Sequence, residues 1–173
     1  MTQYSNRMVV IHWLTLILVI TAWYLGYSLD EAREEHGATL TGYLAHAMAG
    51  ITVLLLTMIR WLFRRMDGTP PPMGNTLMDK VAKGVHHALY LMLIIVPASG
   101  VITAAASGVS KALLTGNAAL LPKNYDSVAA HDVHEILVNV LIVLVVVHVL
   151  GAIMHQFIMK DSLMERMSLH KKQ

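Results

Sequence analysis

Histidine is the residue type whose pattern in this sequence could do chemistry. The 173-residue chain contains ten histidines and no cysteine, which excludes disulfides, thiolate zinc sites, iron–sulfur clusters and cysteine nucleophiles. Seven histidines lie within or at the edges of long apolar runs: His12, His46, His86, His87, His134, His148 and His155. No Asp or Glu lies in the middle of these runs. An imidazole among apolar side chains needs a polar partner, and the spacing of the histidines suggests which one.

Three of these histidines share one face of a predicted helix. His134 and His148 are 14 residues apart, which places them within about 40° of each other and about 21 Å apart along the helix axis. His155 follows seven residues later on the same stripe. One helix is therefore expected to contribute a ligand to each of two stacked sites.

The depth of each histidine in its apolar run predicts its partner. His46 lies about one turn inside the second run and His134 lies near the same end of the fourth, so these two can bridge one site. His12 lies near the opposite end, where its partner is His148 or, less well placed, His155. Two imidazoles without a nearby carboxylate or thiolate suit the axial positions of a haem iron in a helical bundle. For any single histidine, an interhelical hydrogen bond is the alternative.

The apolar runs that carry the histidines are long enough to cross a membrane. Hydrophobic residues make up 55% of the chain and charged residues 14%, against about 25% charged in a typical soluble domain. The runs cover residues 9–27, 42–63, 85–106 and 134–159, each sufficient for about 30 Å of hydrocarbon. The first run exceeds the apolar core of a usual signal peptide and is expected to be a true span. The sequence predicts an all-α integral membrane four-helix bundle that encloses two haems as a single domain over residues 1–173.

The distribution of charge predicts the orientation of the bundle. Only three of the 13 basic residues, Arg33, Lys111 and Lys123, lie on one side of the predicted spans. The opposite side collects the others, including the terminal residues Arg7, Lys171 and Lys172, so both termini are expected to face the cytoplasm. A net charge of +2 is too small to indicate nucleic-acid binding. The long connection over residues 107–132 contains an amphipathic segment, 109–114, that is expected to lie on the membrane surface.

Small residues surround the candidate ligands. Gly42 and Gly50 lie one turn on either side of His46, and Gly151 follows His148 by three residues. Bare backbone at these positions would allow a flat macrocycle to pack closely, although small residues are also common where membrane helices touch. His86 and His87 project about 100° apart, so at most one faces the bundle, and a polar contact is favoured over iron ligation. Arg60, near the end of the second run, is expected to snorkel to the membrane interface.

These residues together resemble a known family. The resemblance rests on Ile11-His12-Trp13 in the first run, His46 with Gly50, the segment 90–100 with its proline, and His134-Glu135 with His148. The sequence is similar, over essentially its whole length, to the bacterial di-haem cytochrome b-561 family. The resemblance implies a multi-pass protein of the bacterial inner membrane with two haem b groups. It also implies that His46 and His134 hold the outer haem and that His12 and His148 hold the inner one.

The same resemblance implies an activity and further site residues. Members of the family pass electrons from a periplasmic donor to the quinone pool, and some are superoxide oxidases that reduce ubiquinone. A superoxide:quinone oxidoreductase is therefore expected. In the family a lysine before the third span and a histidine one heptad after the last ligand contribute to the quinone site. The histidine matches His155, whereas both Lys80 and Lys83 are candidates for the lysine.

Two other functions stay open from the sequence. Acidic residues outnumber basic ones by seven to three on the predicted periplasmic side, which is unfavourable for an anion such as superoxide. The acidic loop 30–35 would instead suit a cationic protein donor, for which this chain would be an electron-transfer subunit. A histidine-lined metal or proton transporter is the third possibility. It would predict carboxylates or broken helices in the middle of the membrane, and neither is evident.

Overall fold

The computed structural model describes residues 3–35, 37–71 and 74–169. Four long helices dominate it: α1 (Asn6–Glu35), α2 (Leu40–Asp67), α3 (Leu77–Ala106) and α5 (Ala129–Ile153), and the last continues as a π-helical turn over Met154–Met159. Between α3 and α5 lie a short helix, α4 (Val109–Thr115), and a 3₁₀ turn (Ala118–Leu120), and a further 3₁₀ turn (Leu163–Met167) follows α5. The described ranges contain no strand. The prediction of an all-α bundle with four apolar helices is confirmed.

The four long helices have the length and surface of membrane spans. Their apolar stretches contain 28 to 31 residues with mean hydropathy between 1.7 and 2.9, which at 1.5 Å per residue exceeds the thickness of a bilayer core. Large apolar side chains such as Ile17, Leu55 and Val101 point outwards and are more than half exposed. A narrower core of buried Val19, Val53, Met92, Val96 and Leu141 holds the helices together. The outer apolar surface is the part that lipid would cover.

The helices extend beyond the predicted spans, and one predicted loop is wrong. The acidic segment 30–35 forms the last turns of α1 rather than a loop. No glycine or proline interrupts the chain between Gly26 and Gly37, and Arg33 forms an ion pair of 2.9 Å with Asp30 one turn earlier, which supports a helix there. The chain reverses at Gly37, whose φ of 82° favours glycine. The fourth span begins at Ala129, five residues earlier than predicted.

The helices pack mainly as two pairs, α1 along α2 and α3 along α5. We call the end that carries His46 and His134 the outer end and the end that carries His12 and His148 the inner end. The names follow the predicted orientation of the termini in the membrane. Lys171 and Lys172, which support that prediction, lie outside the described residues.

Short segments close both ends of the bundle. At the outer end α4, predicted to lie on the membrane surface, packs with its buried Val109 against Leu29 and Tyr43. At the inner end the 3₁₀ turn 163–167 lies against α1, where the Trp13 indole donates a hydrogen bond of 3.3 Å to the Met167 carbonyl. A short segment therefore packs against the long helices at each end.

Two histidine pairs as a candidate cofactor site

The outer end of the bundle brings together the two histidines that were expected to meet there. His46 of α2 and His134 of α5 have ring centres 6.3 Å apart, and their planes are inclined by 87°. Each side chain comes from a different helix pair, so the site bridges the two halves of the bundle. Both residues are partly buried.

Hydrogen bonds fix which nitrogen of each outer ring is available to a metal. His46 Nδ1 lies 2.9 Å from the Ala22 carbonyl oxygen, which can only accept, so Nδ1 carries the proton. His134 Nδ1 lies 2.8 Å from Ser99 Oγ, and this hydroxyl already donates to the Val96 carbonyl at 2.8 Å, so it accepts from His134. Both Nε2 atoms therefore carry a free lone pair. This arrangement, in which one nitrogen is anchored and the other is exposed as a ligand, is the usual support of metal-binding histidine.

Two glycines that the sequence analysis did not assign as packing residues lie against these rings. A Cβ atom on Gly26 of α1 would lie 3.0 Å from His46 Cε1, and one on Gly100 of α3 would lie 3.2 Å from His134 Cε1. Each distance is shorter than an ordinary van der Waals contact. The neighbouring helix thus holds each outer ring from the side. In the sequence, the only feature that could have indicated this role was the presence of a glycine inside an apolar helix, because such a glycine usually allows close packing.

The inner end brings His12 to His148 rather than to His155. The rings of His12 and His148 have centres 6.2 Å apart with planes inclined by 75°. His155 lies in the π-helical turn beyond them, where its Nδ1 is 2.5 Å from Asp161 Oδ2. Of the two residues left open by the sequence, His148 is therefore the one that faces His12, and its role as a ligand stays a prediction.

The separation within each pair fits two imidazoles on opposite sides of one metal ion. A metal–imidazole bond is about 2.0 Å long and a ring centre lies about 1 Å behind its nitrogen, so two trans ligands have ring centres about 6 Å apart. Both observed separations match. His86 lies closer to His148, with ring centres 5.0 Å apart, which is too short for that arrangement. His86 is thus a polar neighbour of the inner pair, whereas His87 Nδ1 donates a hydrogen bond of 2.7 Å to the Lys83 carbonyl oxygen.

The predicted packing glycines fall into two groups. A Cβ atom at Gly50 or Gly151 would meet no other heavy atom within 4 Å, so both leave the helix surface open beside a candidate ligand histidine. Gly42 differs, because a Cβ there would come within 2.9 Å of Leu29 Cδ2. Gly42 therefore serves the contact between α1 and α2. The bare surfaces at Gly50 and Gly151 leave room for a flat group beside His46 and His148.

The quinone candidates lie near one another at the inner end. His155 interacts electrostatically with Asp79, the residue that closes the capping box at the start of α3. Lys80 and Lys83 are in the first two turns of the same helix, and both are exposed. Lys83, four residues after Asp79, shares its helix face, whereas Lys80 is turned by about 100°. Among the described residues, no hydrogen bond or ion pair joins either lysine to His155.

Arg60 is the inner-end residue whose role the sequence analysis missed. It was expected to snorkel towards the interface, but its Nη1 lies 2.7 Å from His12 Nδ1. Its Nε atom is buried without a hydrogen-bond partner, and so is the hydroxyl of Tyr90. The Arg60 guanidinium carbon is 5.7 Å from the centre of the Tyr90 ring. A fixed cation and a phenol with unused donors thus lie beside the inner histidine pair.

Aromatic and charged groups cover the outer pair. The rings of Tyr125 and His131 stack with centres 4.0 Å apart, and the Arg33 guanidinium lies 4.6 Å from the centre of the Tyr125 ring. Burial raises the pKa of the Tyr125 hydroxyl, which donates to Tyr43 at 3.3 Å and so stays neutral. Asp30 pairs with Arg33 and lies 3.7 Å from His131. This cluster lies at the outer end of the bundle, on the predicted periplasmic side.

A membrane four-helix bundle with paired imidazoles at two levels defines a class, that of membrane cytochromes b. A family model described as "Prokaryotic cytochrome b561" matches residues 3–168, and the chain belongs to this family of membrane electron-transfer proteins. Membership implies haem b as the cofactor and the bacterial inner membrane as the location.

Relatives in several bacteria align with nearly the whole chain. "Cytochrome b562" of Cereibacter sphaeroides is 30% identical over 96% of this chain and 98% of its own length. "Probable superoxide oxidase CybB" of Yersinia pestis is 28% identical over 98% of both chains. "Cytochrome b561 homolog 1" of Escherichia coli is 28% identical over 99% of this chain and all of its own length.

Proposed function

We propose that this chain carries electrons from a one-electron donor at the periplasmic side, through two haem b groups, to a quinone at the cytoplasmic side. The observation that carries the proposal is the separation of the two histidine pairs, 6.3 Å for His46 and His134 and 6.2 Å for His12 and His148. Each matches two axial ligands of one iron. The anchored Nδ1 atoms at the outer pair and the open glycine surfaces at Gly50 and Gly151 add support.

The four paired histidines are the side chains that would hold the cofactor. Haem b held by these histidines would supply one-electron transfer. Ala22 and Ser99 keep the proton of His46 and His134 on Nδ1 and so leave each Nε2 lone pair free to bind iron. The apolar core around Val53 and Leu141 lies between the two levels and excludes water from the path. Oxidation of the donor and reduction of quinone would therefore take place at the two ends of the bundle.

The ligand assignment is tested by removing one outer histidine. His134→Ala should lose half of the bound haem, because the outer site would retain only His46. His131→Ala is the matched control, since it removes a histidine one turn earlier that stacks on Tyr125 instead. Pyridine haemochrome analysis of the purified proteins measures haem per chain. Full haem content in His134→Ala would remove that residue from the ligand set.

Superoxide is the donor that we propose first. The similarity to a protein named as a probable superoxide oxidase supports it. The reaction would take one electron from superoxide, release dioxygen, and pass the electron inwards, two such turnovers and two protons converting quinone to quinol. Stopped-flow mixing of quinone-free protein with superoxide should reduce the haems, because no acceptor then removes the electrons. Haems that stay oxidised would exclude this donor.

A cationic protein donor is the second candidate, and the charges of the outer end favour it. Arg33 is only 14% exposed and is paired with Asp30, whereas Asp132 is 74% exposed. Added salt should change the rate of haem reduction in opposite directions for the two donors. Screening should slow reduction by a cationic protein and should speed reduction by an anion that approaches an acidic surface. The sign of the salt dependence therefore separates them.

For the quinone end we propose His155 as the group that hydrogen-bonds the headgroup, with Lys83 rather than Lys80 beside it. Asp161 holds His155 Nδ1, which leaves Nε2 to face a quinone oxygen and to relay protons. The shared face of Lys83 and Asp79 supports Lys83. Lys83→Ala should raise the KM for quinone, with Lys80→Ala as the matched control. Equal changes of KM in the two variants would contradict the choice of Lys83 over Lys80.

A further inference from the structure

The hydrogen bond between Arg60 and His12 conflicts with iron ligation by His12. A neutral imidazole that binds a metal through Nε2 carries its proton on Nδ1, so Nδ1 must donate. Arg60 Nη1, at 2.7 Å from His12 Nδ1, can also only donate. The two donors cannot share one hydrogen bond. Either Arg60 moves when the cofactor binds, or His12 binds as an anionic imidazolate.

The surroundings of Arg60 indicate an anion as its missing partner. Within the described residues no carboxylate forms an ion pair with Arg60, although its Nε atom is buried. The Tyr90 hydroxyl, on the neighbouring α3, is also buried with no partner. A buried guanidinium without a counter-ion is costly, and unpaired buried donors add to that cost. Arg64, one turn further along the same face of α2, increases the local positive charge.

We propose that Arg60 leaves His12 when haem binds and, together with the Tyr90 hydroxyl, binds a propionate carboxylate of the inner haem. This inference rests on the proposed ligation of the inner haem by His12 and His148. Haem b carries two such carboxylates, and arginine with its planar set of donors is the side chain best suited to hold one. The move removes the donor conflict at His12 and satisfies Arg60 Nε and Tyr90 Oη at once. Arg60 is thus a positioning residue for the inner haem.

Redox titration of the haems tests the first consequence. Loss of the Arg60 charge should favour the ferric form, because the reduced haem with its carboxylates loses a compensating cation. Arg60→Gln should shift the oxidised-to-reduced ratio of one haem about tenfold, equivalent to about 59 mV lower for a one-electron couple. Arg60→Lys should restore most of the shift. Arg65→Gln, which removes an exposed arginine that lies over Trp61, is the matched control and should leave both potentials unchanged.

Exchange of the cofactor tests the carboxylate itself. Haem b dimethyl ester lacks the propionate charges, so the wild-type chain should bind it at the inner site about tenfold more weakly than haem b, the loss expected for one hydrogen bond to a charged group. In Arg60→Gln the ester and haem b should bind with about the same affinity, because the carboxylate has no partner there. Additive effects of the ester and the substitution would overturn the proposal. The comparison of the ester with haem b in the wild-type chain remains a test even if Arg60→Gln does not fold.

Two further results would separate this inference from the proposed function. If His12→Ala loses one haem while Arg60→Gln leaves both potentials unchanged, the ligand set stands and the carboxylate site is wrong. If His12→Ala retains both haems, the ligand assignment itself fails. A near-infrared charge-transfer band that indicates imidazolate in the wild-type protein and shifts in Arg60→Gln would show that Arg60 stays on His12. That result would also overturn the proposal.

Discussion

Gly100→Ala should weaken haem binding at the outer site through a contact that the structure defines. The added Cβ would lie 3.2 Å from His134 Cε1, 3.6 Å from Nδ1 and 3.7 Å from Nε2. The first distance is tighter than an ordinary contact, so the ring must move by a few tenths of an ångström. His134 cannot move freely, because its Nδ1 is held at 2.8 Å by Ser99 on the same helix as Gly100. The displacement is therefore transferred to Nε2, the atom that faces the iron.

The expected size of the effect follows from the cost of overpacking. An extra methyl group in a filled interior costs roughly 1–3 kcal/mol. Because about 1.4 kcal/mol corresponds to a factor of ten in a binding constant, the outer haem should bind roughly 5- to 150-fold more weakly. The inner haem should be unaffected, since Gly100 lies at the outer end of α3.

The assay combines haem content with the EPR spectrum of the oxidised protein. The spectrum of a bis-imidazole ferric haem depends on the angle between the ring planes, which is 87° at the outer pair and 75° at the inner pair. Gly84→Ala is the matched control, because it makes the same substitution in the same helix where a Cβ meets nothing within 4 Å. It should leave both signals unchanged. If Gly100→Ala and Gly84→Ala had the same haem content and the same EPR spectrum, the predicted effect of the contact with His134 would be refuted.

Further outcomes are expected at neighbouring positions. Gly26→Ala should weaken outer haem binding more than Gly100→Ala, because its Cβ would lie 3.0 Å from His46 Cε1; equal haem retention on detergent washing would contradict this. Ser99→Ala removes the acceptor for His134 Nδ1 and should reduce outer haem affinity about 10- to 100-fold, as measured by haem titration. Gly50→Leu should block haem incorporation if a flat group lies against that surface, and a full complement of haem in this variant would remove Gly50 from the site. Asp161→Asn should raise the KM for quinone without changing haem content, because it weakens the hold on His155; steady-state quinone reduction measures it, and an unchanged KM would separate Asp161 from the quinone site.

The residues that the sequence could assign are those whose position depends on local pattern. The length of the apolar runs predicts four membrane helices, and the 14-residue spacing of His134 and His148 predicts two levels on one helix face. The extension of α1 through Glu35 was missed, although the absence of glycine and proline in that segment would have indicated it. These features follow from helix geometry alone.

The details of each candidate site depended on how the helices are rotated against one another. The Ala22 carbonyl and Gly26 meet His46, and Ser99 and Gly100 meet His134, only because α1 and α3 present those faces to the neighbouring helices. The turn of Arg60 towards His12 has the same origin. A sequence fixes the depth of a side chain within an apolar helix, because 1.5 Å per residue is constant, but the direction it faces across a bundle is set by packing between helices. The levels of the two sites were therefore readable from the chain itself, whereas the residues that support each ring required the tertiary structure.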